Sequence, residues 1–156
     1  MRKPQSYGTG LMSHTARYAL RIVAELARIG ADRPFRAHDI QKTTGVPPHY
    51  LPKVLRRLVL EGVLRSQRGH HGGFALARPA AEITVADVLS AVGSLPDDSC
   101  AFGWGECNAN APCPLHAIRI AFDTSFMQWA RNTTFANVLD NAERHDALTP
   151  CKSKPK

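Results

Sequence analysis

"FRAHDIQKTTGVPPHYLPKVLRRLVLEGVLRSQRGHHGGFALAR", residues Phe35 to Arg78, is the stretch whose reading decides the fold. It opens on a short helical segment, RAHDIQKTT, stopped by Gly45. The turn GVPP follows. Then HYLPKVLRRLVLEG places Leu51, Val54, Leu55 and Leu58 at i, i+3, i+4 and i+7, which is one face of a helix. Proline is tolerated only in a helix's first turn, so Pro52 sets the start of this helix near His49. Past Gly62, VLRSQ and FALAR alternate as short strands, and RGHHGG between them is a glycine-rich turn. Helix, turn, helix and hairpin in this order predict a winged helix-turn-helix.

The flanking sequence extends this plan. Upstream, SHTARYALRIVAELARIG has a 3.6-residue apolar period, with Ser13 as N-cap and Gly30 as stop. Downstream, TVADVLSAVG is a short helix capped by Thr84. Regularity ends between Leu95 and Pro112. PLHAIRIAFDTSFMQWARN then reads as a long helix with Pro114 at its first position. Its Ile118, Phe122, Phe126 and Trp129 are too apolar to face water and call for a partner surface, so it is expected to form a dimer. TTFANVLDNAER adds a last short helix capped by Thr133 or Thr134. The expected class is therefore mainly α with a small β-hairpin wing: a winged helix-turn-helix plus a long C-terminal dimerisation helix. The expected divisions are a disordered basic tail over 1–10, the DNA-binding domain over 11–94 and a cysteine loop over 95–113. The dimerisation helix region covers 114–142, and a second disordered basic tail covers 143–156.

The 156 residues carry a formal net charge of +7, which points to an anionic partner, nucleic acid first. The basic N-terminus, MRKPQSYGTGLMS, has no apolar stretch behind it, and no apolar run is long enough to span a bilayer. A cytoplasmic location without membrane contact is expected. Charge alone leaves a solvated basic face as the simpler reading. Here it coincides with the motif: His49, Lys53, Arg56 and Arg57 lie on the exposed face of the second motif helix, and Tyr50 sits beside them. Arg65, Arg68, His70 and His71 lie on the hairpin. A helix fits the major groove of double-stranded DNA, and a basic wing reaches phosphates or the adjacent minor groove. A two-fold dimer would read a pseudo-palindromic operator.

Three of the four cysteines lie in SCAFGWGECNANAPCPLHAIR, Ser99 to Arg119. Six residues separate Cys100 from Cys107, five separate Cys107 from Cys113, and two separate Cys113 from His116. Thiolates in a polar, glycine-rich loop suit an iron–sulfur cluster or zinc, and His116 falls one turn into the next helix, where it can face the same site as Cys113. There is no Cys-x-x-Cys pair, which weakens a zinc-ribbon reading. Cys151 lies in the C-terminal tail and is left out. No nucleophile–base pair, paired acids or phosphate loop marks an enzyme. Three readings remain: a cluster-dependent transcription regulator, a zinc-stabilised DNA-binding protein, and an iron–sulfur electron carrier whose basic face meets an acidic protein.

ARYALRIVAELA, GVPPHYLPKVLRRLVLEGVLRSQRGHHGGFALAR, ITVADVLSAV and CAFGWGECNANAPCPLH together resemble the BadM/IscR/NsrR-type winged-helix family, often called Rrf-two, over roughly Leu11 to Leu139. The resemblance implies a homodimeric bacterial transcription factor, often a repressor, with an iron–sulfur cluster in the loop. It implies that Cys100, Cys107 and Cys113 are ligands, and that His116 completes a 2Fe–2S site as in the iron–sulfur assembly regulator; a 4Fe–4S cube also accepts three cysteines plus another ligand. Nitric-oxide-sensing members instead use a carboxylate on the first helix, where this chain has Arg17. Arg68 matches the wing arginine that enters the minor groove. His49 falls at a base-reading place. Pro52 replaces a glutamate that the assembly regulator uses to choose between site classes, and it can neither accept a hydrogen bond from cytosine nor repel a phosphate.

Overall fold

The computed structural model describes residues 12–30, 34–69, 72–96, 100 and 102–145. Among the sequence expectations, the tail over 1–10, most of the tail over 143–156, Cys151, His70 and His71 lie outside them.

Helix α1 spans His14–Ile29, and the Ser13 hydroxyl accepts from the Ala16 N–H as its cap. Its Ala16, Ala19, Ile22, Val23 and Leu26 are buried, the face that the 3.6-residue period predicted. Helix α2, Ala37–Thr44, ends on Gly45 in the left-handed conformation. Helix α3, Leu51–Leu60, buries Leu51, Val54, Leu55 and Leu58. It begins two residues after His49, because Pro52 sits in its first turn and His49 and Tyr50 belong to the preceding turn.

Strands β1, Leu64–Gln67, and β2, Gly73–Leu76, pair antiparallel from Leu64↔Leu76 to Gln67↔Gly73. This is the wing. Phe35 adds a bridge: its N–H donates to the Phe74 carbonyl at 2.8 Å, and the Phe74 N–H returns the bond at 2.9 Å. That approach explains Gly73, since a Cβ there would lie 2.5 Å from the Phe35 carbonyl oxygen. A 3-10 turn, Ala80–Glu82, leads to α4, Val85–Ala91, where Thr84 and Asp87 form a capping box. Arg78 holds Asp87 from outside at 3.3 Å.

Helix α5 spans His116–Asn132, starting two residues after Pro114, and α6 spans Phe135–His145, past the boundary expected at residue 142. α6 returns to the winged body and packs on α1 and the 3-10 turn. Its start is pinned by the backbone: the Val85 N–H donates to the Thr133 carbonyl, and the Phe135 N–H donates to the Ile83 carbonyl, both at 2.9 Å. Phe135 is 1% exposed and joins one core with α1, α3 and α4. Phe135→Ala is therefore expected to lower unfolding free energy by about 3–5 kcal/mol. Urea titration at fixed protein concentration checks this, and an unmoved midpoint would mean that α6 does not hold the core.

Candidate nucleic-acid interface and metal centre

The outward face of α3 follows from its buried one. With Leu51, Val54, Leu55 and Leu58 turned inward, the 3.6-residue period turns Lys53, Arg56 and Leu60 directly outward. Pro52 and Val59 lie on the flank beside the hairpin, and Arg57 lies on the opposite flank. Lys53 and Arg56 are exposed, and Leu60 is 70% exposed. On the hairpin side, Leu51, Pro52, Leu55, Val59, Leu60 and Phe74 line a largely apolar groove of about 350 Å³, with Arg56 at its edge.

At the start of α3, Tyr50 is held between two rings. Its ring centroid is 5.3 Å from Tyr18 and 4.5 Å from His49, both tilted contacts. Tyr18 continues to His14 at 6.1 Å, so a ladder of rings runs from α1 to the residues leading into α3. Its members hold Tyr50 and His49 at the surface by packing, before any ligand arrives. Tyr18 carries no charge and lies half-buried in an amphipathic helix, so sequence reasoning passed over it.

The other expected contacts divide. Arg68 is exposed at the end of the first wing strand. The Arg65 Nε–H donates to the Leu76 carbonyl at 3.3 Å, which ties it to the hairpin backbone. Arg57 donates from Nη1 to the Val92 carbonyl at 2.8 Å, across to the end of α4. Arg17 lies 3.1 Å from His14 Nδ1 on its own helix.

In the cysteine loop, Cys107 Sγ lies 3.0 Å from His116 Nδ1. Cys100 and Cys113 form a second side-chain pair. The Cys100 thiol is held below its ordinary range, first by the Phe102 backbone N–H and then by that of Trp104; desolvation opposes them, and Cys113 and the nearby Arg119 add smaller lowering effects. All three cysteines are half-buried and free. His116 is the first residue of α5, and its N–H donates to the Cys113 carbonyl at 2.9 Å. The four expected ligands thus meet as two pairs at the mouth of one helix, and among the described residues no three acidic, thiol or imidazole groups converge on a single metal-binding point. Thiols with one favoured as thiolate, plus an imidazole, are a soft donor set that fits an iron–sulfur group or zinc.

Phe102 and Trp104 stack at 4.8 Å on the exposed rim of this loop. Along α5, Leu115, Ile118, Phe122 and Trp129 form an exposed apolar stripe, with Ile118 at 66% exposure, while Phe126 leans inward between Phe122 and Trp129. Among the described residues, no helix is long and apolar enough to cross a membrane.

A basic helix-turn-helix with a hairpin wing and a separate exposed helix is the build of a DNA-binding transcription regulator. Residues 12–141 match the family described as Rrf2, iron-dependent transcriptional regulator. The chain belongs to that family. It is 32% identical over 132 residues to an HTH-type transcriptional regulator of Mycobacterium tuberculosis strain H37Rv, covering 84% of this chain and 82% of that protein. It is 28% identical over 132 residues to the HTH-type transcriptional regulator IscR of Escherichia coli O9:H4, covering 85% and 82%. Two solved structures share the fold. T. potens IscR has a TM-score of 0.70 at 20% identity, over 90% of this chain and 93% of that one. CymR, the global cysteine regulator of B. subtilis, has a TM-score of 0.68 at 23% identity, over 83% and 95%. The protein is a transcription regulator and not an enzyme.

Proposed function

We propose that this regulator binds a pseudo-palindromic operator as a homodimer, and that an iron–sulfur cluster held by Cys100, Cys107, Cys113 and His116 sets its operator affinity. The observation that carries the reading is the Cys107–His116 contact: it joins the cysteine loop to the first residue of α5. Groups that bind both residues therefore act on the root of the dimer helix. A bound iron–sulfur group supplies a link that is sensitive to oxidation and ligand exchange; 2Fe–2S suits three thiolates and one imidazole, and 4Fe–4S is the other candidate. The chain's own residues do the rest. Phe102 and Trp104 backbone N–H groups favour the Cys100 thiolate. The exposed stripe of α5 pairs with its copy and sets two recognition helices about one DNA turn, ~34 Å, or a multiple apart.

On the DNA side, Lys53, Arg56 and Arg68 neutralise phosphates or enter a groove, and His49 and Tyr50 approach base edges or the sugar edge from the start of α3. His70 and His71, which the sequence sets between the two wing strands, are the remaining expected contacts. Arg68→Ala is expected to weaken operator binding and to flatten the dependence of log affinity on log salt by about one unit if the contact is to phosphate. If the guanidinium reads the groove, specificity at one position relaxes instead. Unchanged affinity, slope and specificity would remove the wing from the interface.

The test of the whole reading is anaerobic purification with iron and sulfide counts and an absorption spectrum. Titration of one promoter fragment with cluster-loaded and cluster-free protein follows. A brown protein with unequal affinities in the two states is the expected result. Colourless protein with stoichiometric zinc would make the loop a structural metal site, and equal affinities would separate the cluster from DNA control.

A further inference from the structure

The hydrogen bond from Arg57 to Val92 separates Arg57 from the other cations of α3. All three are exposed, but Lys53 and Arg56 point directly outward, whereas Arg57 sits on the flank toward α4, where its Nη1 is bonded. Its acceptor is no ordinary carbonyl. Val92 ends α4, and Gly93 follows in the left-handed conformation at φ 65°. The Ser94 N–H then donates back to the Leu89 carbonyl at 2.9 Å, while the Gly93 N–H reaches the Ser90 carbonyl at 2.9 Å. The Ser94 hydroxyl in turn lies 3.1 Å from the hydroxyl of Ser13, which caps α1. Three helices thus meet at three consecutive residues: α4 ends there, α3 reaches in through Arg57, and α1 reaches in through its cap. The chain leaves this junction directly into the segment that carries Cys100.

We propose that Arg57 is a positioning residue of the recognition helix and not a phosphate contact: through Val92 it fixes α3 against the junction from which the cysteine loop departs. The inference deepens the function proposed above and rests on it for the loop's regulatory role, while the positioning role stands on geometry alone. A carbonyl at the C-terminal end of a helix carries partial negative charge, so a guanidinium donor there makes a charge-assisted bond. Removing it leaves the core of α3 in place, because Leu51, Val54, Leu55 and Leu58 hold the helix from the other side. What is lost is the restraint on its tilt relative to α4. A shift at the junction, whatever its source, then no longer reaches the DNA-facing side chains through this bond.

The two roles predict different salt behaviour. A phosphate contact contributes a released counterion, so its loss lowers affinity and flattens the salt slope by about one unit. A positioning bond contributes none. The experiment compares Arg57→Met and Arg56→Met with the wild type, on a duplex selected from a random-sequence library by the wild-type protein, from low to physiological salt. Arg57→Gln serves as a milder second variant should Arg57→Met fold poorly. Arg56→Met is expected to flatten the slope by about one unit. Both Arg57 variants are expected to keep the wild-type slope, with Arg57→Met losing about tenfold in affinity, the equivalent of 1.4 kcal/mol. Hydrogen exchange supplies the second readout: the amides of Gly93 and Ser94 should exchange faster in Arg57→Met. A flattened slope with unchanged exchange would make Arg57 a phosphate contact and overturn the proposal. Repeating the titration with cluster-loaded protein separates the two ideas. If loaded and cluster-free wild type bind equally, the regulatory reading fails, while the slope still decides the role of Arg57.

Discussion

Ile118→Asp is expected to give a folded monomer whose operator affinity is lower by roughly 10²–10⁴-fold. Ile118 lies near the start of the exposed stripe on α5 and is not among the side chains packed on the winged core, so the substitution should spare the fold. In a dimer, the same carboxylate would be buried opposite apolar side chains without a cation to meet it, which association cannot tolerate. The large effect on DNA comes from geometry. A monomer presents one recognition helix and one wing, and it loses the effective concentration that tethers the second half-site contact to the first. Sedimentation velocity at micromolar concentration gives the oligomeric state, and operator titration gives the affinity. A variant that stays dimeric with unchanged affinity would place the subunit interface on another face.

Cys100→Ala, Cys107→Ala and Cys113→Ala are each expected to yield protein without a cluster, whereas His116→Ala should keep one that decays faster. The asymmetry follows from ligand chemistry. An anionic thiolate is a strong ligand of iron, whereas a neutral imidazole binds more weakly and is more readily replaced by water. The three cysteine variants should shift operator affinity in one direction and by a similar factor, because each empties the same site. Iron and sulfide counts, the visible spectrum and one promoter titration per variant check this. If a single cysteine variant retained full iron and sulfide, that cysteine would leave the ligand set, and the pairing of Cys100 with Cys113 and of Cys107 with His116 would need another explanation.

What the sequence revealed, and what it hid, has a physical pattern. Helices with a strong apolar period and side-chain caps came out with the right faces: α1 with Ser13 and Gly30, α3 with its four buried residues, α4 with Thr84. Starts governed by proline moved by two residues in both α3 and α5: Pro52 sits inside the first turn of α3, whereas Pro114 precedes the N-cap of α5, so proline marks a start only loosely. The thiols and His116 stood out in the sequence as candidate ligands, and the structure brings them together as two pairs. Their pairing was not, because it depends on how the loop folds back. Arg57 looked like Lys53 and Arg56 on a helix face, and only the neighbouring end of α4 distinguishes it. Tyr18 and Phe135 escaped for a related reason: each matters through a partner distant in sequence, Tyr50 in one case and the Ile83 backbone in the other.

The seat of Phe135 also dictates an order of events during synthesis. The winged body takes this ring from beyond α5, so its core stays incomplete until α6 has been made. Closing so long a loop carries an entropic cost that a local contact does not, which makes docking of α6 a late step in folding. Helix α5 and the cysteine loop lie inside that closed segment. Until α6 docks, both hang from the winged body by one end only. On the reading proposed above, pairing with a second copy and loading of the loop would follow that step.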